Sequence, residues 1–186
     1  MEDIICRTVD TLRRGGVILY PTDTIWGIGC NAQDANAVER LYDIKERDHT
    51  KSMLVLCCAE QVGSGEWRAE SESRPTTYIL PEAMWQPLLG GVVAANLPAA
   101  DGSLGVRVPN HSFCCEVIQR LGAPLVSTSA NLSGHPSPAT YHDIEKELFE
   151  RVDYSVPPLE EFLSTETRGS RIIKINSDGS QTVLRP

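Results

Sequence analysis

Between Gly91 and His135 the chain carries only four charged residues, Asp101, Arg107, Glu116 and Arg120. So long a stretch with so little charge belongs inside a molecule, and it marks the central strands of a sheet and the helices packed on them. It resolves into a strand within Leu104-Gly105-Val106-Arg107-Val108-Pro109, a helix over Ser112 to Leu121, and a strand over Pro124 to Thr128. Arg107 stands out, because a cation inside an apolar strand needs a partner or a ligand.

The flanks supply the remaining layers. Ile4, Ile5, Val9 and Leu12 recur at helical spacing, Gly15-Gly16 ends the run, and Val17-Ile18-Leu19-Tyr20 follows as a buried strand. Asp34 caps a second helix whose apolar stripe is Val38, Leu41 and Tyr42, with Lys45 near its end and able to reach into a neighbouring cleft. Met53 to Cys58 and Thr76 to Leu80 read as strands, and Tyr141 to Phe149 as a helix. Gly63 to Arg74 reads as a polar surface connection. The tail from Arg171 to Leu184, broken by Ser177-Asp178-Gly179-Ser180, reads as a hairpin.

Helices alternate with strands, but the strand-rich end calls for a mixed rather than purely parallel sheet. With 186 residues, 41% of them hydrophobic, the chain can build one sizeable core and is too short for two ordinary domains of about 100–150 residues. The expectation is therefore one α/β domain over residues 1–186.

A net charge of −8 opposes general attraction to nucleic acid phosphates, so any phosphate ligand must be held by a local basic cluster. The acidic run from Glu145 to Glu166 reads as a solvated face. Six cysteines (Cys6, Cys30, Cys57, Cys58, Cys114 and Cys115) lack C-x-x-C spacing, which argues against structural metal and for reduced thiols in a cytosolic protein. No signal peptide is expected at Met1-Glu2-Asp3-Ile4-Ile5, and no apolar run reaches the roughly 20 residues of a membrane span. The chain reads as soluble and cytoplasmic.

Three segments offer chemistry. Tyr20-Pro21-Thr22-Asp23-Thr24-Ile25-Trp26-Gly27 leaves a strand with two hydroxyls, a carboxylate and an aromatic ring; such strand-end loops hold ligands, though Thr and Asp also simply satisfy turn amides. Lys45, Arg47 and Lys51 place three cations at a helix end, suited to a triphosphate, although basic residues also favour helix C-termini for the dipole alone. In Pro124 to Gly134, a buried strand opens into Ser127-Thr128-Ser129-Ala130-Asn131-Leu132-Ser133, where hydroxyls and amides can converge on an anion or a ribose. Neither a Walker loop nor a dinucleotide fingerprint is present.

In this order Pro21-Thr22-Asp23-Thr24, Lys45-x-Arg47 with Lys51, Gly105-Val106-Arg107-Val108-Pro109 and Ser127 to Gly134 resemble the YrdC-like family, the L-threonylcarbamoyl-AMP synthases, from about Gly15 to Pro186. The resemblance implies a YrdC-like fold with a central cleft. It also implies an enzyme, a nucleotidyltransferase that makes threonylcarbamoyl-AMP and pyrophosphate from L-threonine, bicarbonate or CO2, and ATP, with Mg²⁺ on the phosphates. The product serves tRNA threonylcarbamoyladenosine modification through downstream transfer proteins; a weak or indirect RNA contact is left open.

The family's K-x-R and S-x-N motifs match Lys45/Arg47 and Ser129/Asn131. The implied nucleotide set is Lys45, Arg47, Lys51, Ser127, Ser129, Asn131 and Ser170, with Lys45 and Arg47 catalytic and both partly exposed to the cleft. The implied threonine set is Thr22, Thr24, Arg107 and Thr128. Departures from the family pattern are Ser52 for a proline, Leu56 for a histidine, Arg74-Pro75 for Pro-Gly-Pro, and Gly169-Ser170-Arg171-Ile172-Ile173 for Pro-Ser-Thr-Val-Val; Thr77 matches the family threonine.

Two other readings compete: a non-catalytic double-stranded RNA- or ribosome-binding module of the same fold, which the acidic composition opposes, and a carbamoyl-transferring part of a hydrogenase maturation enzyme, whose further parts would not fit 186 residues.

Overall fold

A computed structural model describes residues 1–50, 52–58, 62, 74–90, 93–163 and 168–186. Helix α1, Glu2–Arg13, carries Glu2 and Asp3 in its first turn, where they favour the helix dipole, and buries Ile5, Val9 and Leu12. Strand β1, Ile18–Tyr20, and strand β2, Gly27–Gly29, follow. Helix α2, Ala35–Lys45, is capped by Asp34, whose Oδ1 accepts from the backbone N–H of Asn36 and of Ala37 at 3.0 Å each. Then come β3 (Leu54–Leu56), β4 (Thr76–Leu80), helix α3 (Glu82–Leu88), β5 (Leu104–Arg107), helix α4 (Ser112–Leu121) and β6 (Leu125–Ser129). Helix α5 (Lys146–Arg151), β7 (Tyr154–Ser155), β8 (Arg171–Ile175) and β9 (Gln181–Arg185) complete the chain.

The strands form one sheet in the order β7-β1-β2-β6-β3-β5-β4-β8-β9. It is mixed, as the sequence predicts. The β1–β7, β3–β5 and β4–β8 pairs are parallel, and β1–β2, β2–β6, β3–β6, β4–β5 and β8–β9 antiparallel.

Alternation along the strands divides the interior in two. Leu19, Ile28, Val55, Tyr78, Val106 and Val126 point to one face and pack with Val38 and Leu41 of α2, Trp85 of α3 and Leu148 of α5. On the other face Ile18, Tyr20, Leu56 and Leu125 pack with Ile5, Val9 and Leu12 of α1 and with Phe113, Val117 and Ile118 of α4. Each fully buried leucine or isoleucine here contributes roughly 1.5–3 kcal/mol. On this second face the helices cover the β1 end, and a cleft lies over the β6–β3–β5–β4–β8 stretch.

The helix expected over Tyr141 to Phe149 is broken. A 3-10 turn spans Tyr141–Asp143, Ile144 and Glu145 are extended with ψ of 130° and 131°, and only then does α5 begin. The Glu145 carboxylate turns back to accept from the Leu132 backbone N–H at 3.3 Å and pairs with His135 Nδ1 at 3.0 Å, while Thr140 and Asp143 close a capping box. Residues 63–73 of the expected surface connection lie outside the described residues.

Candidate active-site cleft

The cleft floor follows from strand register. Ser127, Leu54, Gly105 and Ile79 lie side by side across β6, β3, β5 and β4, and Thr77 sits opposite Ile172 of β8. All six line a cavity of about 290 Å³, near the lower end of small-molecule site volumes, roughly 300–1,000 Å³. Gly105 keeps the floor low: a Cβ there would stand 3.0 Å from Leu54 Cβ and 3.6 Å from Thr77 Cγ2.

One wall is the loop between β1 and β2. Thr22 Oγ1 donates to the Ile25 carbonyl at 2.8 Å and accepts from the Thr24 N–H at 3.0 Å, and the two threonine hydroxyls lie 3.0 Å apart. Arg107 reaches this loop from β5, donating from Nη1 to Thr24 Oγ1 at 3.0 Å and from Nη2 to Asp23. The other Asp23 oxygen accepts from the Asn110 N–H at 3.0 Å. The partner that the apolar-strand arginine requires is thus Asp23. Arg107 still lines the cleft, and its buried Nε finds no partner among the described protein atoms.

The α2 terminus makes a second wall. Glu46 adopts a left-handed conformation, φ 50° and ψ 43°, and the Arg47 N–H returns to the Tyr42 carbonyl at 3.0 Å. This turn sends Lys45 and Arg47 to different places. Arg47 lines the cleft and donates to the Ser52 carbonyl at 3.0 Å. Lys45 is 1% exposed and donates from Nζ to the carbonyls of Ser129 and Asn131, 2.5 Å each.

This corrects the expectation that Lys45 opens to the cleft: two backbone acceptors at the end of β6 capture its ammonium and hold it behind the wall. Burial, with Arg47 as a second cause, pulls its pKa down to about 7. Asn131 also stands behind the wall, donating from Nδ2 to the carbonyls of Leu132 and His135 at 2.8 Å each, and its buried Oδ1 has no partner among the described protein atoms.

The expected residues Thr22, Thr24, Arg47, Arg107, Ser127, Thr128, Ser129 and Ser170 therefore converge on the cleft, Lys45 and Asn131 back it, and Lys51 lies outside the described residues. The sequence reading missed Arg185. It donates from Nε to the Ser170 carbonyl at 2.7 Å, and Ser170 Oγ lies 2.7 Å from Thr77 Oγ1, which ties β9, β8 and β4 together at the rim. No local signal marks Arg185, since only the pairing of Ile172 with Arg185 carries it inward. Burial, then Arg107, lowers the pKa of its guanidinium. Among the described lining residues there are three arginines, five serines and no carboxylate. Such a surface favours an anion with several oxygens.

Fold and site together define an α/β protein with an anion-accepting cleft on the open half of a mixed sheet. The chain belongs to the Sua5/YciO/YrdC family, whose model, described as "Telomere recombination", matches residues 10–186. A relative from Chromohalobacter salexigens, a threonylcarbamoyl-AMP synthase, is 33% identical over 162 residues, 81% of this chain and 83% of its own length. A crystal structure of P. abyssi Sua5 complexed with L-threonine matches with a TM-score of 0.74 and 26% identity, over 98% of this chain and 53% of that longer one. The likeness to T. kodakarensis HypF, TM-score 0.77 at 19% identity over 97% of this chain and 24% of that one, is one of fold alone.

Proposed function

We propose that this chain is an L-threonylcarbamoyl-AMP synthase, using L-threonine, bicarbonate or CO2, and ATP. The observation that carries the reading is the cleft itself: Arg47, Arg107 and Arg185 without a described lining carboxylate, facing the hydroxyls of Ser127, Thr128 and Ser129 on a chain of net charge −8. The threonylcarbamoyl-AMP synthase relatives support the same reading.

In the reaction, the amine of threonine takes up CO2 as a carbamate. A carbamate oxygen then bonds to the α-phosphorus of ATP while the bond from that phosphorus to the pyrophosphate oxygen breaks, so no protein nucleophile is consumed. The chain supplies positioning and fixed positive charge where negative charge builds on the leaving group.

Arg47 and Arg185 hold phosphate oxygens. Ser127 and Ser129 hold the nucleotide from the opposite wall, and Ser170 does so at the rim. Thr22, Thr24 and Thr128 meet the threonine, and Arg107, fixed by Asp23, presents its remaining N–H to the threonine carboxylate. Lys45 and Asn131 act on the nucleotide through the Ser129 to Asn131 backbone they brace. Lys51 completes the phosphate set. No carboxylate is among the described lining residues, so Mg²⁺ would be held by way of the nucleotide that Arg47, Arg185 and the cleft serines bind, and would supply neutralisation of phosphate charge.

The chain acts in the cytoplasm and hands its product to tRNA-modifying transfer proteins; among the described residues no helix is long and apolar enough to cross a membrane. The test is pyrophosphate release from ATP. Release should require both L-threonine and bicarbonate, and release indifferent to threonine sinks the assignment.

A further inference from the structure

The loop after β6 is held by two opposite charges. From the end of α2, Lys45 Nζ donates to the carbonyls of Ser129 and Asn131 at 2.5 Å each, and the Lys45 carbonyl accepts from the Ser133 N–H at 2.9 Å. From the residue before α5, Glu145 Oε1 accepts from the Leu132 N–H at 3.3 Å, while Oε2 lies 3.0 Å from His135 Nδ1. The Asn131 carbonyl and the Leu132 N–H belong to one trans peptide group, so they point in opposite directions. An ammonium therefore faces the negative end of that peptide dipole and a carboxylate its positive end. Turning the peptide over would set its carbonyl against Glu145 and its N–H against Lys45, so the two charges together favour one orientation. The chain gives up helix to achieve this: Ile144 and Glu145 are extended, with ψ of 130° and 131°, and α5 starts only after them.

We infer that Glu145 is a positioning residue for the nucleotide wall: with Lys45 it fixes the Asn131–Leu132 peptide and, through it, the placement of Ser129, which lines the cleft. The carbonyls of Ser129 and Asn131 share one ammonium, so a displaced Asn131–Leu132 peptide disturbs both. The reach to the nucleotide rests on the synthase reading; the clamp on the peptide does not. Burial and then Arg47, on the turn that follows α2, hold the Lys45 pKa down at about 7, and Glu145 opposes them, with His135 beyond it. Removing the Glu145 charge should therefore lower the Lys45 pKa further.

The experiment has two arms on the full chain. In the first, Lys45 is titrated by NMR with lysine labelled at Cε and Nζ, its signal assigned by its loss in Lys45→Met. Glu145→Gln keeps an oxygen that accepts from the Leu132 N–H but removes the charge, and should move the Lys45 midpoint down by roughly half a pH unit or more. In the second, calorimetry measures the affinity for α,β-methylene-ATP. Glu145→Ala should weaken it ~5-fold while the affinity for L-threonine stays within about twofold, and Glu145→Gln should recover most of the loss. Glu147→Ala and Glu147→Gln, which remove a carboxylate paired with Arg151 on α5 itself, should change neither readout.

A Lys45 midpoint that stays in place in Glu145→Gln, or that moves as far in Glu147→Gln, overturns the proposal. So does an analogue affinity that Glu145→Ala leaves unchanged, or that Glu147→Ala weakens equally. Should Glu145→Ala fail to fold, the titration and analogue affinity of Glu145→Gln decide, since that variant keeps the hydrogen bond. The Lys45 titration needs neither turnover nor nucleotide, so the clamp and the synthase reading fail separately.

Discussion

Lys45 and Arg47 are two positions apart and do different jobs. Arg47→Ala should leave the fold standing and remove nucleotide binding. Lys45→Met removes the donor to two buried carbonyls and should cost about 1–3 kcal/mol of stability, read by urea denaturation. The pH dependence separates them further. The folded Lys45 sits near pKa 7 and its unfolded counterpart near 10.5, so between those values the unfolded chain binds the extra proton and this group makes stability rise with pH; below 7 it contributes no slope. Wild type should gain stability from pH 7 toward 9 relative to Lys45→Met, and parallel curves would refute the burial argument. Asp23→Asn is the companion case, since it leaves Arg107, with a side chain 5% exposed, without its counter-ion. A loss of ~3–5 kcal/mol is expected in the same denaturation assay, relieved in part by adding Arg107→Met. The sequence makes Arg107 conspicuous because a charge in an apolar strand is rare. It does not reveal that Asp23 answers it, because that pairing depends on where β5 ends relative to a loop more than eighty positions earlier.

At the level of elements, what the sequence makes legible is periodicity, and what it hides is brief or held from a distance. Helices α1, α2 and α4 and the hairpin β8–β9 repeat an apolar spacing or carry a strong turn, and they form where expected. Strand β2 is only Gly27-Ile28-Gly29, too short and too glycine-rich to carry a strand pattern. Its glycines are there for approach: a Cβ on Gly29 would lie 1.8 Å from the Val126 carbonyl oxygen, inside covalent exclusion, and one on Gly27 would meet the Tyr20 ring at 3.1 Å. Gly29→Ala should therefore push β2 from β6, with a loss of more than about 4 kcal/mol or no soluble product, while Gly134→Ala, where a Cβ meets nothing within 4 Å, should be much milder despite its φ of 88°. Equal urea midpoints for the two would show that the β2–β6 approach is not tight. The broken helix before α5 follows the same logic, since Glu145 gives up helical geometry for partners at Leu132 and His135 that no local window contains.

Over the whole molecule, charge is segregated: a chain of net charge −8 carries a cleft lined by Arg47, Arg107 and Arg185 without a described carboxylate. Segregation of this kind admits a small polyanion into a concave site while repelling an extended one from the surface, because a nucleic acid must approach many surface charges at once and a nucleotide only those of the cleft. A duplex-RNA-binding module would need the reverse arrangement, with basic residues spread over an accessible face. The two therefore separate in a salt titration. Binding of a short duplex RNA, followed by filter retention at physiological salt, should be weaker than about 10⁻⁴ M, the weak end of ordinary non-specific affinity. ATP-analogue binding under the same conditions should persist, with a shallow salt dependence reflecting the few arginines it meets. Submicromolar RNA affinity with a steep salt slope would overturn the charge argument, since it would require the accessible surface to behave as basic when its composition is acidic.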